Sequence, residues 1–179
     1  MRLLLWMSCL IISLFYSISS FADDAPTTFT LTTNAFLDTG ALPVLYTCDG
    51  KDSSPELSWS NPPAKTKSFV LIVSDPDAPN GTFYHWIVYN IPATTKELLE
   101  GTTTFPPNTL IGTNSKGEKK YSGPCPPRGS AHTYHLALYA LDNTLTLPAG
   151  VEGKTVEASI KNHVLKKAEM TTVYSRWLK

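Results

Sequence analysis

The sequence predicts a mainly β fold of the α+β class, largely antiparallel and sandwich-like. Three observations carry that prediction. Short apolar or alternating runs succeed one another at spacings too small for regular βαβ crossovers. Only one stretch, late in the chain, has a helical period. The 14 prolines gather in connecting segments, as at Pro62-Pro63, Pro106-Pro107 and Pro124 to Pro127, where they stiffen loops and spare the sheet ladders.

Taken in order, Thr28 to Thr32 alternates polar and apolar residues, as a half-buried strand does. Pro43 to Thr47 and Glu56 to Trp59 read as further short strands, separated by the turn material Cys48-Asp49-Gly50-Lys51-Asp52. Lys67 to Ser74 contains Phe69-Val70-Leu71-Ile72-Val73, apolar at every position, the pattern of a strand covered on both faces. Pro76 and Pro79 end it, because proline has no N–H to give a ladder. Tyr84 to Ile91 and His132 to Leu141 are strands rich in aromatic and branched residues. Thr94 to Gly123 is polar and aperiodic, a long loop of the kind that is functional or mobile. Thr155 to Met170 reads as the helix, with Val156, Ile160, Val164, Leu165 and Ala168 at helical spacing, and Thr171 to Leu178 as a last strand.

The first residues address the compartment. Arg2, then an apolar run from Leu3 to Tyr16, then Ser20-Phe21-Ala22, describe a secretory leader cleaved after Ala22. The apolar part falls short of the roughly 20 residues of a membrane span. The expectation is a signal peptide over 1–22 and a single domain over 23–179, exported to a periplasm or secreted, with no transmembrane anchor once the leader is gone. Fifteen basic residues balance fifteen acidic ones, and no basic block stands out, which argues against nucleic acid as a partner.

Chemistry-bearing residues fall in four places. Asp75 and Asp77 sit between prolines at a strand end, either a plain turn or one wall of a site on a rigid support. With period two, His85 shares a face with Ile87 and Tyr89. By the same rule His132 and Tyr134 share a face with Leu136 and Leu138, while His135 points the other way. The loop Tyr121-Ser122-Gly123-Pro124-Cys125-Pro126-Pro127-Arg128-Gly129 is small and stiff enough for a ligand to approach its backbone. Singly, each has a structural reading: a turn, a hydrogen-bonded histidine, a connector. No G-x-S-x-G or other nucleophile motif accompanies them, so no catalytic residue, metal or cofactor is predicted. The alternative is an enzyme in which His85, His132 and one aspartate form a two-histidine, one-carboxylate metal site.

In combination these segments resemble the phosphatidylethanolamine-binding protein family, and its bacterial YbhB/YbcL or Raf kinase inhibitor-like branch most closely. The resemblance rests on Tyr46-Thr47-Cys48-Asp49-Gly50, Ser54-Pro55-x-Leu57-x-Trp59, Asp75 to Pro79, His85-Trp86, Asn90-Ile91-Pro92, Gly123 to Gly129, His132-x-Tyr134, Tyr139 to Asp142 and His163-Val164-Leu165. It implies a central antiparallel sheet with a second small sheet and flanking helices. It also implies a pocket for phosphate-like or carboxylate-like anions, formed by Asp75, His85, His132 and Tyr134 with backbone from Ser122, Gly123 and Pro124, and with Asp77 and Pro79 in support. Expected partners are a small anion or phospholipid headgroup and, as in relatives that modulate kinases or proteases, a protein target. Where the family often has His-Arg-Tyr, this chain has His132-Thr133-Tyr134, a change by strand parity on the far face from the pocket.

Two covalent expectations complete the reading. Cys9 leaves with the leader, so Cys48 and Cys125 remain in an oxidising compartment and should pair. The Ala78–Pro79 bond, in a double X-Pro turn that the resemblance also singles out, is the candidate for a cis peptide.

Overall fold

The computed structural model describes residues 28–177. The predicted leader lies outside the described residues. Among the described residues, two antiparallel sheets and one α-helix make up the fold. The small sheet has the order β1-β2-β5, from Thr30–Thr32, Leu57–Ser60 and Glu97–Leu98. The large sheet has the order β6-β4-β3-β7-β8, from Leu110–Ile111, Phe83–Pro92, Ser68–Asp75, Ala131–Leu141 and Val164–Ser175. The helix, α1, spans Gly153–Ile160.

The all-apolar run is the central strand β3, and it is buried on both faces as its composition requires. Phe69, Leu71 and Val73 face the small sheet, packing with Leu31, Leu57, Trp59, Trp86, Val88, Leu136 and Leu138. Val70 and Ile72 face the helix, packing with Ile87, Tyr89, Val156 and Ile160. The large sheet is thus the middle layer of three.

Three sequence expectations are corrected. Pro43 to Thr47 forms no strand but a 3-10 turn at Val44–Tyr46, because the N–H and hydroxyl of Thr47 both close on the carbonyl of Val44, at 3.0 and 2.9 Å. The long loop over 94–123 contains the short strands β5 and β6. The helix stops at Ile160 instead of continuing to Met170, and residues 164–170 open the twelve-residue strand β8. A spacing of four (156, 160, 164, 168) is even, so it satisfies strand parity as well as a helical stripe. The chain reverses over 161–163, where the His163 N–H reaches the Ile160 carbonyl at 2.8 Å, and β8 then pairs along the whole of β7.

Candidate functional site

The strand ends of β3, β4 and β7 meet at one end of the layer between the sheets. Asp75 ends β3, Phe83 and His85 begin β4, and His132 and Tyr134 begin β7. Strict alternation would send His85 to the helix side with Ile87 and Tyr89. The register of β3 on β4 instead passes from Val73↔Trp86 to Ser74↔Tyr84, leaving His85 as the extra residue of a β-bulge. His85 and Trp86 therefore both lie on the small-sheet side. This corrects the parity reading, and it is what brings His85 to the other site residues.

A cavity of about 250 Å³ opens there, walled by Asp75, His85 and His132 and by the apolar surfaces of Pro79, Phe83, Pro126 and Pro127. The imidazoles are buried and each is held at Nδ1. His132 donates to Asp75 Oδ2 at 2.7 Å, and His85 donates to the Ser122 carbonyl at 2.6 Å. Ser122 offers only that carbonyl, so His85 carries its proton on Nδ1 when neutral. Its Nε2 is buried without a hydrogen-bond partner among the described residues. Burial pulls the His85 pKa below the ordinary imidazole value, and the nearby charge of Lys116 acts in the same direction.

The aspartates have separate tasks. Asp75 Oδ1 accepts the Asp77 N–H at 2.8 Å, so with His132 on Oδ2 both its oxygens are engaged. Asp77 Oδ2 accepts the Thr133 N–H at 2.8 Å and ties the turn to β7. Among the described residues there is no cis peptide bond. The Ala78–Pro79 bond is trans, and a double X-Pro turn closes here without the rarer isomer.

Tyr134 lies beneath the cavity rather than in its wall. Its ring packs edge-on to His85, with centroids 5.3 Å apart, and stacks near His132 at 6.4 Å. Its buried hydroxyl has no partner among the described residues, and burial, then Asp75, pushes the phenol pKa upward. In the loop before β7 only Gly123, of the three predicted backbone contributors, reaches the cavity wall. Its N–H is committed to Asp52 Oδ1, the Ser122 N–H to the His85 carbonyl, and Pro124 has none. A Cβ on Gly123 would sit 2.6 Å from the Tyr46 carbonyl oxygen and 2.8 Å from the Thr47 Cα, so only glycine lets the two segments approach this closely. The Cys48–Cys125 disulfide joins the same segments, with Cα atoms 5.4 Å apart. His135, on the opposite face, pairs with Glu169 at 3.1 Å and stands apart from the cavity.

Five wall residues lie outside the predicted site: Ala78, Pro126 and Pro127, in segments the sequence reading did single out, and Phe83 and Lys116. Phe83, its ring 4.7 Å from that of His85, stands two residues before it, and the parity argument extended backward would have found it. Lys116 comes from the aperiodic loop, where no spacing marks it.

The comparisons with known proteins agree with this architecture. The family model described as phosphatidylethanolamine-binding protein matches residues 32–175. The chain belongs to the phosphatidylethanolamine-binding protein family. A UPF0098 protein of Aquifex aeolicus is 48% identical over 139 residues, covering 75% of this chain and 81% of the relative. One of Methanothermobacter thermautotrophicus is 42% identical over 149 residues, covering 82% and 98%. Among solved structures, YbcL of E. coli, described as a member of the mammalian family, superposes with a TM-score of 0.79 at 32% identity, covering 84% of this chain and 99% of YbcL. A Chlamydia trachomatis homologue of the family gives 0.76 at 37% identity, covering 83% and 97%.

Within the family's fold, the residues present do not support the metal-enzyme alternative. Among the described residues, no three His, Cys, Asp or Glu side chains are grouped to hold a metal ion. The one carboxylate in the wall, Asp75, is occupied at both oxygens.

Proposed function

We propose that this chain is an exported, non-catalytic binding protein whose cavity takes a small oxyanion, phosphate or a phosphate-bearing headgroup, and that it acts by modulating a protein partner. The observation that carries the reading is the tethering of both imidazoles through Nδ1. Each ring is fixed by an acceptor behind it, which leaves the Nε2 edges as the groups that answer to a ligand. No hydroxyl or thiol is hydrogen-bonded to either ring among the described residues, and the sulfur of Cys125 is in a disulfide, so the usual ingredients of covalent catalysis are missing from the wall. Export rests on the leader-like residues 1–22 and is consistent with the disulfide.

The same tethering sets the pH dependence. A neutral His85 presents a lone pair at Nε2, which repels an oxyanion. A proton, arriving on the imidazole or with the ligand, turns that contact into a charge-assisted hydrogen bond. Affinity therefore rises as pH falls from about 7.5 to about 5.5, through the region of ordinary histidine titration. Calorimetric titration of phosphate into wild type, His132→Ala and His135→Ala at the two pH values tests this. A charge-assisted bond is worth roughly 1.5–3 kcal/mol, so His132→Ala binds about tenfold or more weakly while His135→Ala binds as wild type. Equal affinity of His132→Ala, or tighter binding at the higher pH, overturns the assignment.

A further inference from the structure

Resting on that reading of the cavity, we infer that Lys116 is its charge-selecting residue: it makes the site favour phosphomonoester-type anions with a net negative charge over zwitterionic headgroups such as phosphoethanolamine diesters. Lys116 is the ammonium group of a wall otherwise formed by two imidazoles, the Asp75 carboxylate and mostly apolar groups. No carboxylate lies within salt-bridge distance of its ammonium group among the described residues. Its charge is not spent on a neighbour.

Its position is fixed from below. The Lys116 N–H donates to Asn114 Oδ1 at 2.9 Å, and the same oxygen accepts the Glu118 N–H at 3.0 Å. Asn114 is buried, and its amide donates to the Lys120 carbonyl at 3.0 Å. Three such bonds from one buried side chain fix the backbone of the turn that carries Lys116.

The charges around the cavity then discriminate between ligands. His85 feels Lys116 from the loop, and Asp75 and Asp52 from β3 and the segment before β2. Both aspartates already accept hydrogen bonds from the protein. Asp75 is bonded at both oxygens, and Asp52 holds the Gly123 N–H. A ligand ammonium would meet the like charge of Lys116 and an Asp75 carboxylate already shared with His132 and the Asp77 N–H, whereas a second negative charge on phosphate meets Lys116. His85, a wall residue whose Nε2 is unpartnered among the described residues, is the proton-dependent group already argued.

The test is competition for one site by three probes: inorganic phosphate, glycerol 3-phosphate and glycerophosphoethanolamine, titrated into wild type, Lys116→Met, Lys116→Arg and His132→Ala. Wild type is expected to bind the two monoester-type anions about tenfold more tightly than the zwitterion, the size of one partly desolvated charge contact. Lys116→Met should weaken the first two by about that factor and leave the third nearly unchanged, so that the preference collapses. Lys116→Arg should keep it. Unchanged preference in Lys116→Met, with His132→Ala still weakened for all probes, overturns the role of Lys116 and leaves the cavity reading standing. No saturable binding of any probe to wild type overturns both. Tighter binding of glycerophosphoethanolamine than of phosphate assigns the site to the lipid headgroup and also refutes the selection by charge.

Discussion

His85 concentrates the physical compromise of this site. Its ring is buried, its Nδ1–H is given to a carbonyl, and its Nε2 is left without a protein partner. A buried neutral imidazole has its pKa below the unfolded value, here for want of solvation. The sign of the consequence follows. Above about pH 6.5 both folded and unfolded states hold the ring neutral, and nothing is lost. As pH falls from there toward the depressed native value, the unfolded state takes a proton that the native state refuses, so stability declines. Without phosphate, the urea midpoint should therefore drop on acidification, and His85→Gln, which keeps a donor for Ser122, should flatten part of that slope. Identical slopes would show that the titration of His85 is not felt by the fold. The residue's chemical type was legible in the sequence and its orientation was not. The bulge that turns it sits between two ladders, and nothing local in Tyr84-His85-Trp86 records where the partner strand skips a residue.

At the scale of elements, what was legible depended on whether a segment's periodicity admits one reading. β3 has no polar position to dispute, and its burial on both faces followed from composition. Residues 156–168 admitted two readings, and strand pairing with β7 decided for the second past Ile160. The loop before β7 was legible as stiff, but its use was not: it holds the neighbouring segment over 46–52, with the Gly123 N–H donating to Asp52 Oδ1, the Tyr121 hydroxyl to the Tyr46 carbonyl, and the Pro124 carbonyl accepting the Cys48 N–H. The disulfide is the covalent member of that strap. Its cysteines are 77 residues apart, so in the chain-entropy account closing this loop contributes about 4–5 kcal/mol. Replacing both cysteines by alanine should lower the unfolding free energy by up to that amount. The loss should also loosen the Pro126-Pro127 wall and weaken phosphate binding more than a comparably destabilising change in the layer beside α1, such as Ile160→Ala at about 2–5 kcal/mol. A double variant as stable as wild type, measured by urea unfolding, would refute the strap.

For the whole molecule, the position of the cavity makes ligand and fold interdependent. It is formed by the ends of three strands of the large sheet and by a loop strapped to the segment that leads into the small one, so it exists only when both sheets are in place. A ligand that needs this arrangement binds the native state alone and stabilises it by mass action, by about 2.7 kcal/mol at a hundredfold excess over Kd. For a domain of this size, roughly 2–4 °C per kcal/mol converts that to a rise of about 5–10 °C in Tm. Proton linkage now acts with opposite signs on the two halves of the problem. Acid weakens the free protein because buried His85 resists its proton, whereas on the proposed function it strengthens the complex, because a bound oxyanion would welcome a proton in the cavity. The gap in Tm between samples with and without phosphate should therefore widen as pH is lowered from about 7.5 to about 5.5, even while both melting temperatures fall. Thermal unfolding with chloride at matched ionic strength isolates the specific part, and His132→Ala, binding about tenfold more weakly, should show roughly half the gap at the same phosphate concentration. A gap that narrows with acid, or is undiminished in His132→Ala, would mean that the proton and the anion do not meet in this cavity.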